Sequence, residues 1–272
     1  MKYLKYAIFG IAIGILFAFI HIENFNSITY SELILKISFS EYILTPNNVS
    51  YFDKIMLCYF PLIVFQVIAG TEIYRHYCTG AIYYFSRCVN RLKWYFKEIG
   101  CLSLQTLIYL LSYVLGYMIF DSLVYDIIFD IASIKLFIYF ILIYYLWNFI
   151  FSLLINVTAL FAKSNGGFAI SIGLQLLFLS LYVAFQEKLY LIYENDIISK
   201  LLIKVIPFSH LILSWHSSKD HTINSLINIY EMSYDLNYSV ISLLILSITI
   251  MVIGAFIIKR IDFIYSNREN GG

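Results

Sequence analysis

Arg87, Arg91, Lys93 and Lys97 stand among Tyr83, Tyr84, Phe85, Trp94, Tyr95 and Phe96 in the stretch YYFSRCVNRLKWYFKE, residues 83–98. Cations interleaved with rings can grip a polyanion, lie on a lipid surface or dock a partner protein. Two further sets have helical spacing. Asn148, Ser152 and Asn156 recur at every fourth residue, and Gln105, Tyr109, Ser112 and Gly116 form a similar stripe. Such stripes either line a path for an amphiphilic molecule or pack helices together with small residues and hydrogen bonds. Packing is the favoured expectation, for Gln66 and Gln175 as well. His216, Asp220 and His221 have metal-ligating side chains, but an offset of five residues suits one helix face poorly, so a solvated loop is expected. Cys58, Cys78, Cys88 and Cys101 make no C-x-x-C pair and no zinc spacing. There is no H-E-x-x-H, no G-x-S-x-G and no paired acid with a nearby base, so no catalytic role is expected for this chain.

The elements that position these residues are membrane helices. Of 272 residues 61% are hydrophobic and only 13% charged, and the mean hydropathy is +0.81. A soluble domain carries about twice that charged fraction. The net charge of +1 removes any general attraction to polyanions, so the basic residues act by placement. A bilayer-spanning helix needs about 20 mainly apolar residues. Six stretches meet or approach this: about 3–22, 55–73, 99–120, 136–162, 167–185 and 238–258. The first begins with Lys2 and Lys5 like a signal peptide, but lacks a small-residue cleavage site and is read as a span.

Lys and Arg placement orients the spans. Lys2, Lys5, Arg75, Arg87, Arg91, Lys93, Lys97, Lys163, Lys259, Arg260 and Arg268 fall on one side. Most acids fall on the other, in connections 23–54, 121–135 and 186–237. Both termini are therefore expected in the cytoplasm, with Cys78 and Cys88 in its reducing environment. Within the long outer connection, Ile197, Ile198, Leu201, Leu202, Val205 and Ile206 repeat at helical spacing up to Pro207, which predicts a short helix at the outer surface. Ser164-Asn165-Gly166-Gly167 predicts a tight cytoplasmic turn.

Projected as a helix, residues 81–99 place Ala81, Tyr84, Phe85, Cys88, Val89, Leu92, Tyr95, Phe96 and Ile99 on one side. Arg87, Asn90, Arg91, Lys93, Lys97 and Glu98 lie on the other, with Trp94 among them. A turn near residues 88–90 would split the segment. A small patch tethered at a membrane, without a binding motif, is not a nucleic-acid site. Contact with lipid phosphates accounts for the charges. The length of this connection and the tryptophan on its charged face point instead to a protein partner.

The order Gly70, Glu72, Thr79-Gly80, Ser86-Arg87, Arg91, Trp94, Lys97 resembles the cytoplasmic segment between spans two and three of ABC-2-type ABC transporter permeases, the type V exporter-like fold. The ending GAFIIKRIDFI, with Lys259-Arg260 and Asp262, is similar to that family's exit from span six. The aromatic richness and long first outer loop depart from the commonest pattern, and the overall character is closest to Firmicutes-like peptide or antimicrobial export or immunity permeases. The resemblance implies a single all-α transmembrane domain of about six helices in a bacterial cytoplasmic membrane, with both termini inside. It implies export of a hydrophobic or amphiphilic substrate, with an antimicrobial peptide favoured. The chain has no GxxxxGK[ST] phosphate loop, so ATP and Mg would be held by a separate ATPase subunit, and a second permease subunit would complete the dimer. Within the cytoplasmic segment 74–98, the resemblance assigns Thr79, Tyr84, Arg87, Arg91 and Trp94 to ATPase coupling and places the coupling helix at 79–88. Glu72 would cap or pair at the exit of span two. Gln105, Tyr109, Asn148, Ser152 and Asn156 are candidates for the translocation path. Three other classes compete: a secondary transporter, which would need charges within its spans; a membrane-embedded enzyme; and a non-transporting immunity or scaffold protein.

Overall fold

The computed structural model describes residues 3–22, 27–38, 48–83, 90–191, 204–228 and 234–260. The chain is mostly helical. Helix α1 spans Leu4–Ile20, α2 Tyr30–Ile37, α3 Asn48–Ala69, α4 Glu72–Tyr83, α5 Arg91–Val124 and α6 Ile131–Leu191. After two 3-10 turns, Pro207–Leu211 and Leu213–Trp215, come α7, His221–Ile227, and α8, Leu236–Arg260. Among the described residues, three helices are long and apolar enough to cross a membrane: α5, α6 over Ile131–Ala184, and α8. Apolar sequence becomes helix here because lipid offers no partner to a backbone N–H or C=O, and a helix satisfies both internally.

α6 is one helix only by hydrogen-bond pattern. Lys163 has φ 61° and ψ 175°, a left-handed conformation costly for any residue with a Cβ. The chain folds back there, so that residues 131–162 and 164–191 form two antiparallel arms. The Ser171 hydroxyl reaches the Phe151 carbonyl at 3.4 Å and the Thr158 hydroxyl reaches the Gly167 carbonyl at 3.3 Å. The sequence expectation put the reversal in Ser164–Gly167; it lies one residue earlier. Gly167 serves packing instead, since a Cβ there would stand 2.6 Å from the Ala159 nitrogen.

α1 and α5 run parallel in backbone contact. A Cβ on Gly10 would stand 2.6 Å from the Tyr109 carbonyl oxygen, and one on Gly14 2.1 Å from that of Tyr113. From the other side, a Cβ on Gly116 would stand 2.4 Å from the Ile11 carbonyl. Gly10 and Gly14 are a GxxxG pair, the small-residue spacing that lets membrane helices approach closely. The stripe of Tyr109, Ser112 and Gly116 therefore packs helices.

Because α1 and α5 ascend side by side, the chains leaving them also run together. Ser27–Thr29 pairs in parallel with Asp126–Ile128, in register Ser27 to Asp126. In this mostly helical chain the two three-residue strands join two connections far apart in sequence. Thr29 then caps α2 in a reciprocal box with Glu32.

One end of the bundle carries Lys5, Arg75, Arg91, Lys93, Lys97, Lys163, Lys259 and Arg260; we call it the basic end. The far end carries the sheet, α2 and the 207–228 segment. Gly14→Leu should lower stability by about 1–3 kcal/mol, because neither backbone can retreat. Gly173→Ala, with nothing within 4 Å of its Cβ, should hold or raise it by up to about 1 kcal/mol. Thermal melts of detergent-purified protein check the contrast.

Candidate functional site

α3 stops at Ala69 and α4 starts at Glu72, the first residue of a new helix where a carboxylate meets unsatisfied N–H groups. Gly70 sits at the break, and a Cβ there would lie 2.3 Å from the Gln66 carbonyl. Glu72 accepts from Lys5 Nζ and the Tyr6 hydroxyl of α1, and from Gln105 Nε2 of α5 at 2.9 Å. Burial alone would push its carboxyl pKa up. The hydrogen bonds from Lys5, Tyr6 and Gln105 outweigh that and hold it below the ordinary carboxylate value. The expected cap or pair at the end of span two is thus a junction of three helices.

A second tie fastens α4 to α6. Asn156 Oδ1 accepts the backbone N–H of Tyr74 at 2.9 Å, a donor in the first turn of α4 without an intrahelical partner. Its Nδ2 donates to the Ser152 carbonyl at 2.8 Å. A third tie joins His76 Nδ1 to Glu98 Oε2 at 2.9 Å. With Ile73, Tyr74 and Tyr77 buried, α4 turns Arg75 and Thr79 outward.

The segment 83–98 is not one amphipathic helix. Asn90 has extended backbone, and its side chain accepts from the N–H groups of Leu92 and Lys93, so α5 starts afresh at Arg91. Arg91 is the first residue of α5 and partly exposed. Trp94 does not stand free on a charged face; its ring packs on Tyr77 of α4 at 6.0 Å between centroids. The projection misplaced it because α4 covers that side of α5. Tyr84 and Arg87 lie outside the described residues, as does the second half, 84–88, of the 79–88 stretch read as the coupling helix; its first half ends α4.

Deeper in the bundle lies a polar seam between α3 and both arms of α6. Gln66 and Gln175 exchange amide hydrogen bonds: Gln66 Nε2 to Gln175 Oε1 at 3.0 Å, and Gln175 Nε2 to Gln66 Oε1 at 2.8 Å. Gln66 also donates to Asn148 Oδ1 at 3.4 Å. The Tyr59 hydroxyl donates to Gln175 Oε1 and receives Trp147 Nε1–H at 3.1 Å. Asn148 Nδ2 and the Ser152 hydroxyl, both fully buried, have no hydrogen-bond partner among the described residues.

The five path candidates therefore divide. Asn148 and Ser152 line the seam. Asn156 caps α4, Gln105 holds Glu72, and Tyr109 donates to the Pro61 carbonyl of α3 at 2.7 Å. All five are buried within this one chain.

Searches against models of known families, curated proteins and solved structures find no match to this chain.

Lys5 and Tyr6 as partners of Glu72 escaped sequence reasoning; Gln66 and Gln175 were expected to pack helices, but not as each other's partners. Partners 109 residues apart leave no local signal. The GxxxG pair and the Thr29-x-x-Glu32 box were readable locally.

Removing the seam's central pair tests its strength. In a double-mutant cycle with Gln66→Leu and Gln175→Leu, equilibrium unfolding should give a coupling of roughly 0.6–1.7 kcal/mol. Glu72→Gln should be less stable than wild type at neutral pH. A carboxylate with a lowered folded pKa contributes stability above its ordinary value, here 4.5, and loses it as pH falls through the lowered one. The melting-temperature gap between wild type and Glu72→Gln should therefore be widest above pH 4.5 and close in stronger acid.

Proposed function

We propose that this chain is the membrane-spanning subunit of an ATP-driven exporter of the ABC-2 permease type, in a bacterial cytoplasmic membrane. In this reading α1, α3, α5, the two arms of α6 and α8 are six spans, and the basic end faces the cytoplasm. ATP and Mg sit on a separate ATPase subunit, and a second permease subunit completes the assembly. The cargo is a hydrophobic or amphiphilic molecule, with a membrane-active peptide the first candidate.

The observation that carries this reading is the anchoring of α4. A short helix at the basic end, turning Arg75 and Thr79 outward, is tied to α1 and α5 through Glu72, to α5 through His76, and to α6 through Asn156. A push on such a helix reaches three neighbours through hydrogen bonds rather than through a slack loop. That is the mechanical property a coupling element needs. Arg91, beside it at the foot of α5, and Arg87 supply charge for the ATPase surface. These 272 residues hold no phosphate loop, so in this reading ATP is bound by a separate ATPase subunit.

Arg91→Glu and Arg87→Glu should reduce recovery of the ATPase with the tagged permease from native membranes by about tenfold or more, the scale of losing one buried ionic contact. Substrate-stimulated ATP hydrolysis should fall with it. Unchanged co-purification and hydrolysis in both variants would remove these residues from the interface. If wild-type protein protects cells without any ATPase, an immunity protein replaces the permease.

A further inference from the structure

The connection between the second arm of α6 and α8 is not a solvated loop where it is described. Phe208, Leu211, Ile212, Leu213 and Trp215 are all buried. His216, expected in solvent, has 0% of its surface exposed, and His210 has 2%.

These two imidazoles converge on one hydroxyl. His210 Nδ1 lies 2.9 Å, and His216 Nε2 2.6 Å, from the Oγ of Ser239 in the first turn of α8. His216 Nδ1 faces the Ile212 carbonyl at 2.9 Å, an acceptor only, so Nδ1 carries the proton and Nε2 accepts from Ser239. The Tyr234 hydroxyl bonds His210, and its ring stacks on His216 at 4.6 Å and 25°. This cluster, with the Ser217–Asp235 bridge, fastens the 207–217 strap to the entry of α8.

The strap covers the polar seam. The Phe208 ring lies against Tyr59, Trp147 and Tyr182, at 5.6, 6.0 and 5.5 Å. Tyr59 and Trp147 are the far-end members of the hydrogen-bonded seam that runs inward to Gln175, Gln66 and Asn148.

We propose that His210 and His216 form a proton-operated latch on this strap, so that acid on the far side lifts Phe208 off the far-end mouth of the seam.

Charging both rings would set two cations against the same hydroxyl and turn His216 Nε2 from acceptor to donor, leaving the Ser239 proton without its acceptor. The titratable groups facing them offer little compensation. Tyr234 and Tyr238 flank them from the α8 side, and Tyr144 and Tyr182 of α6 pack on the strap. Asp235 attracts His216, but no described carboxylate hydrogen-bonds to either imidazole. Burial pushes His210 to about 3, helped by the neighbouring His216, and pushes His216 to about 4 despite its backbone acceptors. A base with a lowered closed-state pKa gives full closure above its ordinary value of 6.5 and loses it as pH falls below that value.

Hydrogen exchange on the full-length protein in nanodiscs, followed by mass spectrometry, tests this. With rates corrected for intrinsic exchange, opening of peptides covering 207–217 should rise about fiftyfold between pH 6 and pH 5, the signature of two protons taken up. Peptides of α5 should stay protected. In the His210→Gln/His216→Gln variant, opening of the strap should be independent of pH over the same range. A rise below about tenfold in wild type overturns the latch, even if the double variant does not fold. So does a wild-type acid response in the folded double variant. Neither outcome depends on whether an ATPase drives the protein.

Discussion

Two backbones in contact set the geometry of this protein. Where Gly10 and Gly14 meet the carbonyls of Tyr109 and Tyr113, α1 lies against α5 with no side chain between them. In lipid the hydrophobic effect does not favour one apolar neighbour over another, so close van der Waals contact has to specify the pairing. The consequences appear at both ends. At the basic end, the docked α1 delivers Lys5 and Tyr6 to Glu72, and Gln105 arrives from α5. At the far end, the two parallel helices release chains that pair as parallel strands.

Polar groups do the remaining positioning. Each would be costly in an apolar interior unless a neighbouring helix supplied its partner. Glu72 joins α4 to α1 and α5; Asn156 joins it to α6; Gln66 and Gln175 lock α3 to the second arm of α6. Hydrogen bonds have direction, which apolar packing lacks, so these few contacts select one arrangement among many greasy ones. They also leave two buried polar atoms, on Asn148 and Ser152, without described partners in the seam that Phe208 closes.

The membrane character, the long apolar helices and the segregation of basic residues were legible in composition and pattern. So was the break near Asn90; for Glu72 the family resemblance implied a cap or a pair, and only packing supplied its partners. The rest depends on elements that lie over a segment and leave no trace in its local pattern. Trp94 looked stranded because Tyr77 of α4 was not yet beside it. His216 looked solvated because neither Tyr234 nor Ser239 was in view. Gly166 and Gly167 looked like the turn, whereas Lys163 takes the left-handed backbone and Gly167 lets the two arms touch.

The sequence by itself determined that this chain belongs in a bilayer, where its long apolar helices run and where its basic residues gather. Those properties follow from local apolar runs and charge counts; the short helices Tyr30–Ile37 and His221–Ile227 fall in connections that such a pattern leaves as loops. Tertiary structure alone decided which polar residues meet: Lys5 with Glu72, Gln66 with Gln175, His210 and His216 with Ser239. Such partners come from separate helices, and a hydrogen bond between them exists only once packing has brought both within about 3 Å.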